Sequence, residues 1–238
     1  MIAEYTGIVI RQIKATGSLR MVHIFTREAG LTDFGTRISE RGKGGGALAI
    51  RPFVYGRYTV NERGGGTADT EPFRTITGAE TIDAHFALGE DEQRFAEASF
   101  ILEFTNKVLP PGVRAKTIFD LLREYLAMLC RRRTDFRLLT IAYMIKVLQE
   151  LGIFPDRDML ESSALSAANR DLLRDSELPI SMNDDILQVV AFIGESSLEG
   201  MGNLTLKPGT ERAVFRMLKE FAREHLDLGV LKSERLLD

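Results

Sequence analysis

The stretch that decides the fold runs from residue 19 to residue 53. It reads Leu19-Arg20-Met21-Val22-His23-Ile24-Phe25-Thr26-Arg27-Glu28-Ala29-Gly30, continues through residues 31–40 to Arg41-Gly42-Lys43-Gly44-Gly45-Gly46, and ends at Arg51-Pro52-Phe53. β-Branched and aromatic residues followed by an Ala-Gly turn predict two strands joined by a hairpin. Residues 10–57 carry nine Lys/Arg and three Asp/Glu, a local charge of +6 in a chain of net charge −3. A small β-domain with a basic face matches a phosphate backbone.

Charge divides the 238-residue chain into two parts. Residues 1–80 hold 11 basic and 8 acidic residues, a net of +3, whereas residues 81–238 hold 20 basic and 26 acidic residues, a net of −6. This asymmetry predicts two domains, 1–80 and 81–238.

Cysteine content and hydropathy indicate the cellular compartment in which the protein is expected. The single cysteine, Cys130, excludes an intrachain disulfide and any cysteine-based zinc site within the chain, and it favours a reducing cytoplasm. No apolar run approaches the roughly 20 residues that span a bilayer, and the amino terminus has no signal-peptide pattern. We therefore expect a cytoplasmic protein.

The first 80 residues have the periodicity of strands. The predicted strands cover residues 7–13, 21–26, a segment from 31 onwards, 49–60 with Pro52 at an edge or bulge, and 72–77. Five short strands separated by turns predict a small barrel, for which the oligonucleotide/oligosaccharide-binding (OB) fold is the leading candidate.

After residue 80 the apolar residues follow the period of a helix. The predicted helices cover residues 91–109, 115–131, 136–151, 183–193 and 210–226, with Gly152 as a carboxyl-terminal cap and Asn183 as an amino-terminal cap. Residues 155–180 are polar and are expected to form an irregular insert. The fold class is thus α+β: a five-stranded OB-type barrel followed by a helical bundle.

Basic residues of the first domain are the candidate DNA contacts. They are Arg20, Arg37, Arg41, Lys43, Arg51 and Arg57. The Gly-rich segment 41–46 does not have the phosphate-loop spacing of nucleoside triphosphatases. Two interpretations remain open for it: a solvated hairpin loop, or a basic loop that closes over a nucleic-acid backbone.

Aromatic residues lie between these charges, and single-strand binders stack bases on such rings. Phe25 and Phe34 are expected to fill the barrel core instead. Strict alternation cannot direct Tyr55 and Tyr58 to the same side, so we expect one of them to be exposed.

A second basic cluster, Arg131, Arg132, Arg133 and Arg137, lies between two predicted helices. Arg131, Arg132 and Arg133 end the second long predicted helix, and two interpretations remain open for them: capping of the helix carboxyl terminus, which explains one or two of these cations, and contact with DNA or a protein partner. The sequence contains no nucleophile–base set with a histidine at the spacing that such catalysis needs. No enzymatic activity, cofactor or metal is therefore expected.

Taken in order, these segments resemble the RecO family of bacterial recombination mediators. The resemblance rests on the Gly7-Ile8-Val9-Ile10 strand, the hairpin at residues 24–30, the basic loop followed by Arg51-Pro52-Phe53, the segment 148–156, and the closing His225-Leu226 with Leu231-Lys232-Ser233 and Arg235. It covers most of the chain. Many members carry a four-cysteine zinc site where this chain has Leu160 and Ser163, so the insert at 155–180 stands in place of a zinc-finger region and no metal is carried over.

The resemblance implies binding to single- and double-stranded DNA and annealing of complementary strands. It implies RecR and the acidic, aromatic-ended tail of single-stranded DNA-binding protein as partners, so that RecA is loaded on coated strands in the nucleoid. The arginines 131–133 and Arg137 are the positional candidates for the receptor of that tail. The alternative is a non-enzymatic scaffold or regulator whose barrel holds a partner peptide rather than DNA.

Overall fold

The structure is a computed structural model that describes residues 1–14, 19–38, 46–63, 73–154, 183–201 and 204–237. The chain divides into two compact units, Met1–Cys130 and Arg131–Asp238. The first unit contains all of the described strands and two long helices, and the second contains a set of helices.

Five strands of the first unit form a closed ring. They are β1 (Ile2–Lys14), β2 (Arg20–Thr26), β3 (Gly30–Thr36), β4 (Tyr55–Arg63) and β5 (Phe73–Asp83). The order around the ring is β1-β2-β3-β5-β4, and β4 closes on β1 because the long first strand pairs with β4 along its first half and with β2 along its second half. Only β3 and β5 are parallel within this ring. The arrangement confirms the predicted OB-type barrel.

Alternate residues of these strands, together with Ile50 from the segment before β4, fill the barrel. The buried cluster consists of Tyr5, Val9, Val22, Ile24, Phe34, Ile50, Tyr58, Val60 and Ile76. Burial of one such side chain contributes about 1.5–3 kcal/mol, so the period-two pattern of apolar residues accounts for the register of the sheet.

The predicted fourth strand was wrong at its start. Residues Gly46–Ala49 form a short helix, α1, and β4 begins only at Tyr55. Pro52 has no N–H to donate to a ladder, and Phe53 adopts a left-handed conformation with φ of 70°, so the chain turns here before it can pair. The fifth strand is longer than predicted and extends to Asp83.

Two long helices complete the first unit. Helix α2 spans Glu92–Val108, and its first turn is capped by Asp91, whose carboxylate accepts a hydrogen bond from the backbone N–H of Arg94 at 2.8 Å. Helix α3 spans Lys116–Arg131. A short 3₁₀ segment, Phe86–Glu90, precedes α2.

The second unit is built around a buried helix. Helix α4 (Phe136–Glu150) packs against α5 (Asn183–Glu195) and α6 (Pro208–Leu226), and most of its residues are buried. Short 3₁₀ segments lie at Glu199–Met201 and Lys232–Leu236. Gly152 has φ of 70° and donates to Gln149, which confirms it as the cap that ends α4.

The change from strand to helix falls between Asp83 and Phe86, close to the predicted domain boundary at residue 80. The compact unit nevertheless extends to Cys130, because α2 and α3 belong to the same unit as the barrel. The functional division at residue 80 therefore stays a prediction. The insert predicted at 155–180 lies outside the described residues.

Candidate nucleic-acid interface

Two of the predicted DNA contacts lie at one end of the β2–β3 pair. Arg20 is the first residue of β2 and faces Thr36, the last residue of β3, so Arg37 follows directly beside it. Arg37 is exposed and Arg20 is partly exposed. The antiparallel pairing therefore brings together two cations that are 17 positions apart in sequence.

Arg51 is linked to the same end of the barrel through Gln12 of β1. The Arg20 guanidinium donates to Gln12 Oε1 at 3.4 Å, and Gln12 Nε2 donates to the carbonyl of Ile50 at 3.2 Å. Ile50 is buried, whereas the next residue, Arg51, is exposed. Neither Arg37 nor Arg51 makes an ion pair or a side-chain hydrogen bond with another described residue.

The turn that carries Arg51 is held in place by hydrogen bonds on both of its sides. The N–H of Phe53 donates to the carbonyl of Val9 at 2.9 Å, and the carbonyl of Phe53 lies 2.8 Å from Nδ1 of the buried His85. Left-handed conformations of non-glycine residues cost about 1–3 kcal/mol, and surrounding contacts must hold them. Here those contacts fix the position of the exposed Arg51.

Arg41 and Lys43 lie outside the described residues. The described residues on either side of them, Ile38 and Gly46, are close together, since a Cβ atom added to Gly46 would lie 3.5 Å from Ile38 Cγ2. Both ends of this basic segment therefore join the chain beside Arg37. The assignment of Arg41 and Lys43 to DNA stays a prediction.

Arg57 occupies a different part of the barrel. It lies on β4 opposite Thr6 of β1 and Glu80 of β5, and it forms an exposed ion pair with Glu80 at 3.3 Å. In the ring, β1 and β5 separate β4 from the β2–β3 pair. The structure thus gathers Arg20, Arg37 and Arg51 at one end of the barrel but does not bring Arg57 to them.

The aromatic residues singled out from the sequence are mostly buried. Phe25, Phe34 and Tyr58 have no exposed surface, and the Tyr58 hydroxyl donates to the carbonyl of Ala49 at 2.8 Å. Burial raises the pKa of Tyr58 well above its usual value. Tyr55 is only partly exposed and packs beside Phe119, so none of these rings is freely available for base stacking.

An exposed aromatic residue that the sequence analysis missed lies close to Arg37. Phe73 begins β5 and is 51% exposed. A Cβ atom added to Gly35 would lie 3.1 Å from the ring, so Phe73 covers the outer face of β3 two residues before Arg37. Its position directly after Pro72, at a strand start, was the signal available in the sequence.

The second basic cluster is partly used inside its own unit. Arg132 donates to the carbonyls of Asp135 and Met201 at 3.2 and 3.1 Å, and Arg137 donates to the carbonyl of Leu237 at 3.3 Å. The Arg137 guanidinium also lies 4.3 Å from the centre of the Phe215 ring. Arg131 and Arg133 are exposed. These two are therefore better placed to meet a partner than Arg132 and Arg137.

Neither membrane spans nor metal clusters occur in the part of the chain that the structure describes. None of its helices is long and apolar enough to cross a membrane. No group of three or more His, Cys, Asp and Glu side chains there could hold a metal ion. Leu160 and Ser163, which the sequence analysis compared with a zinc site, lie outside those residues.

The fold and the basic end of the barrel define a class of protein: an OB-type barrel joined to a carboxyl-terminal helical bundle. Residues 89–235 match the family model for the carboxyl-terminal part of recombination protein O, which covers more than half of the chain. The chain belongs to this family.

Curated relatives match almost the whole chain at low identity. The chain is 24% identical over 251 residues to the DNA repair protein RecO of Halalkalibacterium halodurans, covering 100% of the chain and 95% of that protein. It is 25% identical over 250 residues to the DNA repair protein RecO of Bacillus cytotoxicus, covering 100% and 97%. With the RecO of Alkaliphilus metalliredigens the identity is 20% over 240 residues, covering 95% of both.

Proposed function

We propose that this protein is a DNA-binding recombination mediator in DNA repair. It binds and anneals single-stranded DNA and, with RecR, helps to load RecA on strands coated by single-stranded DNA-binding protein. It works in the cytoplasm, in association with the nucleoid, and without enzymatic turnover. The family and the names of its relatives support a role in DNA repair and recombination.

The observation that carries DNA binding is the cluster at one end of the barrel. Arg20, Arg37 and Arg51 lie together there. The exposed ring of Phe73, at the start of β5, lies over Gly35, which is two residues before Arg37 in sequence. Cations that neutralise phosphates release counterions, so binding is salt-dependent and has little sequence preference. A neighbouring ring offers a base a stacking surface worth about 1–3 kcal/mol.

The proposed partners are RecR and the tail of single-stranded DNA-binding protein. An acidic tail that ends in an aromatic residue needs a receptor with cations beside an apolar surface. Arg131 and Arg133 are exposed, and Arg137 of the same unit donates to the carbonyl of Leu237, next to Leu236, whose apolar side chain is 53% exposed. We assign this region as the candidate receptor; its residues are Arg131, Arg132, Arg133 and Arg137.

Two measurements test the proposal. The first is a filter-binding titration of labelled single-stranded DNA across a salt series, in which affinity should fall steeply as salt rises. The second is strand annealing of complementary strands with and without single-stranded DNA-binding protein, with heat-denatured protein as the control. A chain that shows no DNA signal at low salt is not a DNA-binding mediator. A peptide-binding scaffold would give that result.

A further inference from the structure

A cavity of about 600 Å³ lies between the outer face of the barrel and the end of helix α2. Its floor is a row across three strands, because Arg11 of β1 faces His23 of β2, which in turn faces Asp33 of β3. Its wall includes Lys107 and Val108, at the end of α2, and residues 109–112, which follow the helix. This volume falls within the range of roughly 300–1,000 Å³ that holds small ligands.

The middle of the floor is a histidine of fixed orientation. Nδ1 of His23 lies 2.6 Å from Oδ1 of Asp33, and the histidine side chain is only 11% exposed. This contact leaves Nε2 as the remaining polar atom of the ring. Asp33 is the one acidic residue that lines the cavity in the described part of the chain, and its carboxylate is engaged by His23.

Two of the three cations around the cavity are available to a ligand. Arg74 is bound to Glu62 at 3.1 Å; the pKa of this carboxyl is lowered by the hydrogen bond from the Tyr5 hydroxyl and by Arg74 itself, so the pair stays charged. Arg11 and Lys107 are exposed, and neither makes an ion pair or side-chain hydrogen bond with another described residue. An anion between them would meet two unpaired positive charges.

Part of the wall is apolar, which distinguishes the site from a simple anion site. Val108, Leu109, Pro110 and Pro111 follow Lys107 directly, and the uncharged polar residues Thr32 and Asn106 complete the lining beside them. A ligand that uses the whole cavity must combine an anionic group with a flat or apolar part, as a nucleotide does.

The cavity lies near the basic end of the barrel. Asp33 on its floor belongs to β3, Arg37 directly follows the end of this strand, and Gly35, covered by Phe73, lies between them in sequence. A single strand that contacts Arg37 and stacks on Phe73 would reach the cavity with its neighbouring nucleotides.

We propose that this cavity holds one nucleotide of a bound single strand, with its phosphate between Arg11 and Lys107 and its sugar or base against Pro110 and Pro111. The inference rests on the proposed DNA binding. It adds a site that contains none of the DNA contacts predicted from the sequence. A free phosphate or mononucleotide shares the same chemistry, so the test must separate these sources.

The test compares the full-length protein with Arg11→Ala, Lys107→Ala and the double variant, with Arg123→Ala as the matched control. Arg123 is an exposed cation on α3 that does not line the cavity.

Affinity for a labelled oligo-dT is measured by fluorescence anisotropy across a salt series. Each cavity variant should lose roughly tenfold in affinity, as expected for a hydrogen bond to a charged group. The double variant should lower the salt slope by about 0.7 for the one phosphate released.

A footprint gives an independent readout in the unmodified protein. Lys107 is acetylated with an amine reagent in the presence of oligo-dT, dTMP or inorganic phosphate, and its modification is compared with that of the exposed Lys232 of the second unit. Oligo-dT should protect Lys107 and leave Lys232 reactive, and the two small anions should protect it far less.

The outcomes separate this inference from the proposed function. If the wild-type protein binds oligo-dT but the double variant matches Arg123→Ala, the cavity is not a nucleotide site and DNA binding stands. If dTMP or phosphate protects Lys107 as well as oligo-dT does, the site takes free anions and the inference is overturned. If the wild-type protein binds no oligo-dT, both proposals fail together.

Discussion

Phe25 of β2 and Phe119 of α3 pack edge to face, with ring centres 5.5 Å apart and ring planes inclined by 75°. Both rings are buried, although Phe25 is not part of the cluster that fills the barrel. Phe25 therefore lies on the outer face of the barrel and is covered by a helix. This contact explains why the compact unit extends beyond the last strand to Cys130.

Replacement of Phe119 by alanine should strongly destabilise the first unit. Loss of a buried aromatic ring costs about 3–5 kcal/mol, and the Phe25–Phe119 coupling in a double-mutant cycle should be about 0.5–1.5 kcal/mol. Urea unfolding of Phe25→Ala, Phe119→Ala and the double variant measures both values. Phe86→Ala is the control, because Phe86 is 70% exposed and should change stability by roughly 0.5 kcal/mol or less. A coupling near zero would mean that the two rings do not stabilise each other.

The turn between β2 and β3 depends on the absence of a side chain at Gly30. This residue has φ of 72°, and a Cβ atom there would lie 2.0 Å from the carbonyl oxygen of Val113. Gly30→Ala should therefore cost more than the roughly 1–2 kcal/mol of a left-handed alanine, because backbone atoms must also move.

Gly112→Ala supplies the matched control for that prediction. Gly112 has the same φ of 72° but nothing within 4 Å of its added Cβ, so it isolates the conformational cost. Thermal unfolding of the two variants should show a clearly larger decrease for Gly30→Ala. Equal decreases would show that the contact with Val113 adds nothing.

The ion cluster around Glu234 should make the second unit sensitive to acid. Burial raises the pKa of Glu234, but this is outweighed by hydrogen bonds from the Leu231 backbone, Arg223 and Lys219, so the net pKa is lowered from 4.5. A carboxyl whose pKa is lowered by folding stabilises the fold above its unfolded pKa, and this contribution is lost as pH falls through the folded value.

Glu234→Gln tests this pH dependence. The variant should be less stable than the wild-type protein by about 1–3 kcal/mol at neutral pH, because hydrogen bonds to a charged group are weakened. The difference should shrink as pH falls below 4.5, where wild-type Glu234 becomes protonated. Urea unfolding at a series of pH values measures it. A difference that stays constant with pH would exclude the charge as the cause.

The barrel arginines should differ in their contribution to DNA binding. Arg37→Gln and Arg51→Gln should each lower the salt slope by about 0.7, since each removes one phosphate contact. Arg57→Gln should change it less, because Arg57 is paired with Glu80 and lies away from the β2–β3 end. All three residues are exposed, so melting temperatures should be nearly unchanged. Anisotropy titrations across a salt series separate the three, and equal effects would indicate a DNA path that also crosses β4.

The basic segment at residues 39–45 needs its own test. Arg41→Glu combined with Lys43→Glu should weaken DNA binding uniformly across sequences and leave thermal stability nearly unchanged. Scrambled oligonucleotides of equal length measure the uniformity. Unchanged binding of this double variant would mean that the loop was assigned wrongly.

Local sequence patterns were sufficient for the fold class and for the long helices, but they did not give the ends of every strand. The helices were predicted within two residues of their observed ends, because caps such as Asp91 and Gly152 act within one turn of the chain. Alternation of apolar residues located the strands, because this pattern also depends only on residues that are neighbours in sequence. The start of β4 was missed because the turn at Phe53 is held by His85 and Val9, which are distant in sequence.

The sequence by itself determined that this chain has a basic, strand-rich amino-terminal part and a helical remainder, since charge and periodicity are local properties of the chain. Only the tertiary structure decided which cations share a surface. Strand pairing brings Arg37 beside Arg20 and separates Arg57 from both, and the packing of α2 against β1 brings Lys107 to the same cavity as Arg11. Those relationships depend on register and ring closure between residues that are far apart in sequence, and composition does not encode them.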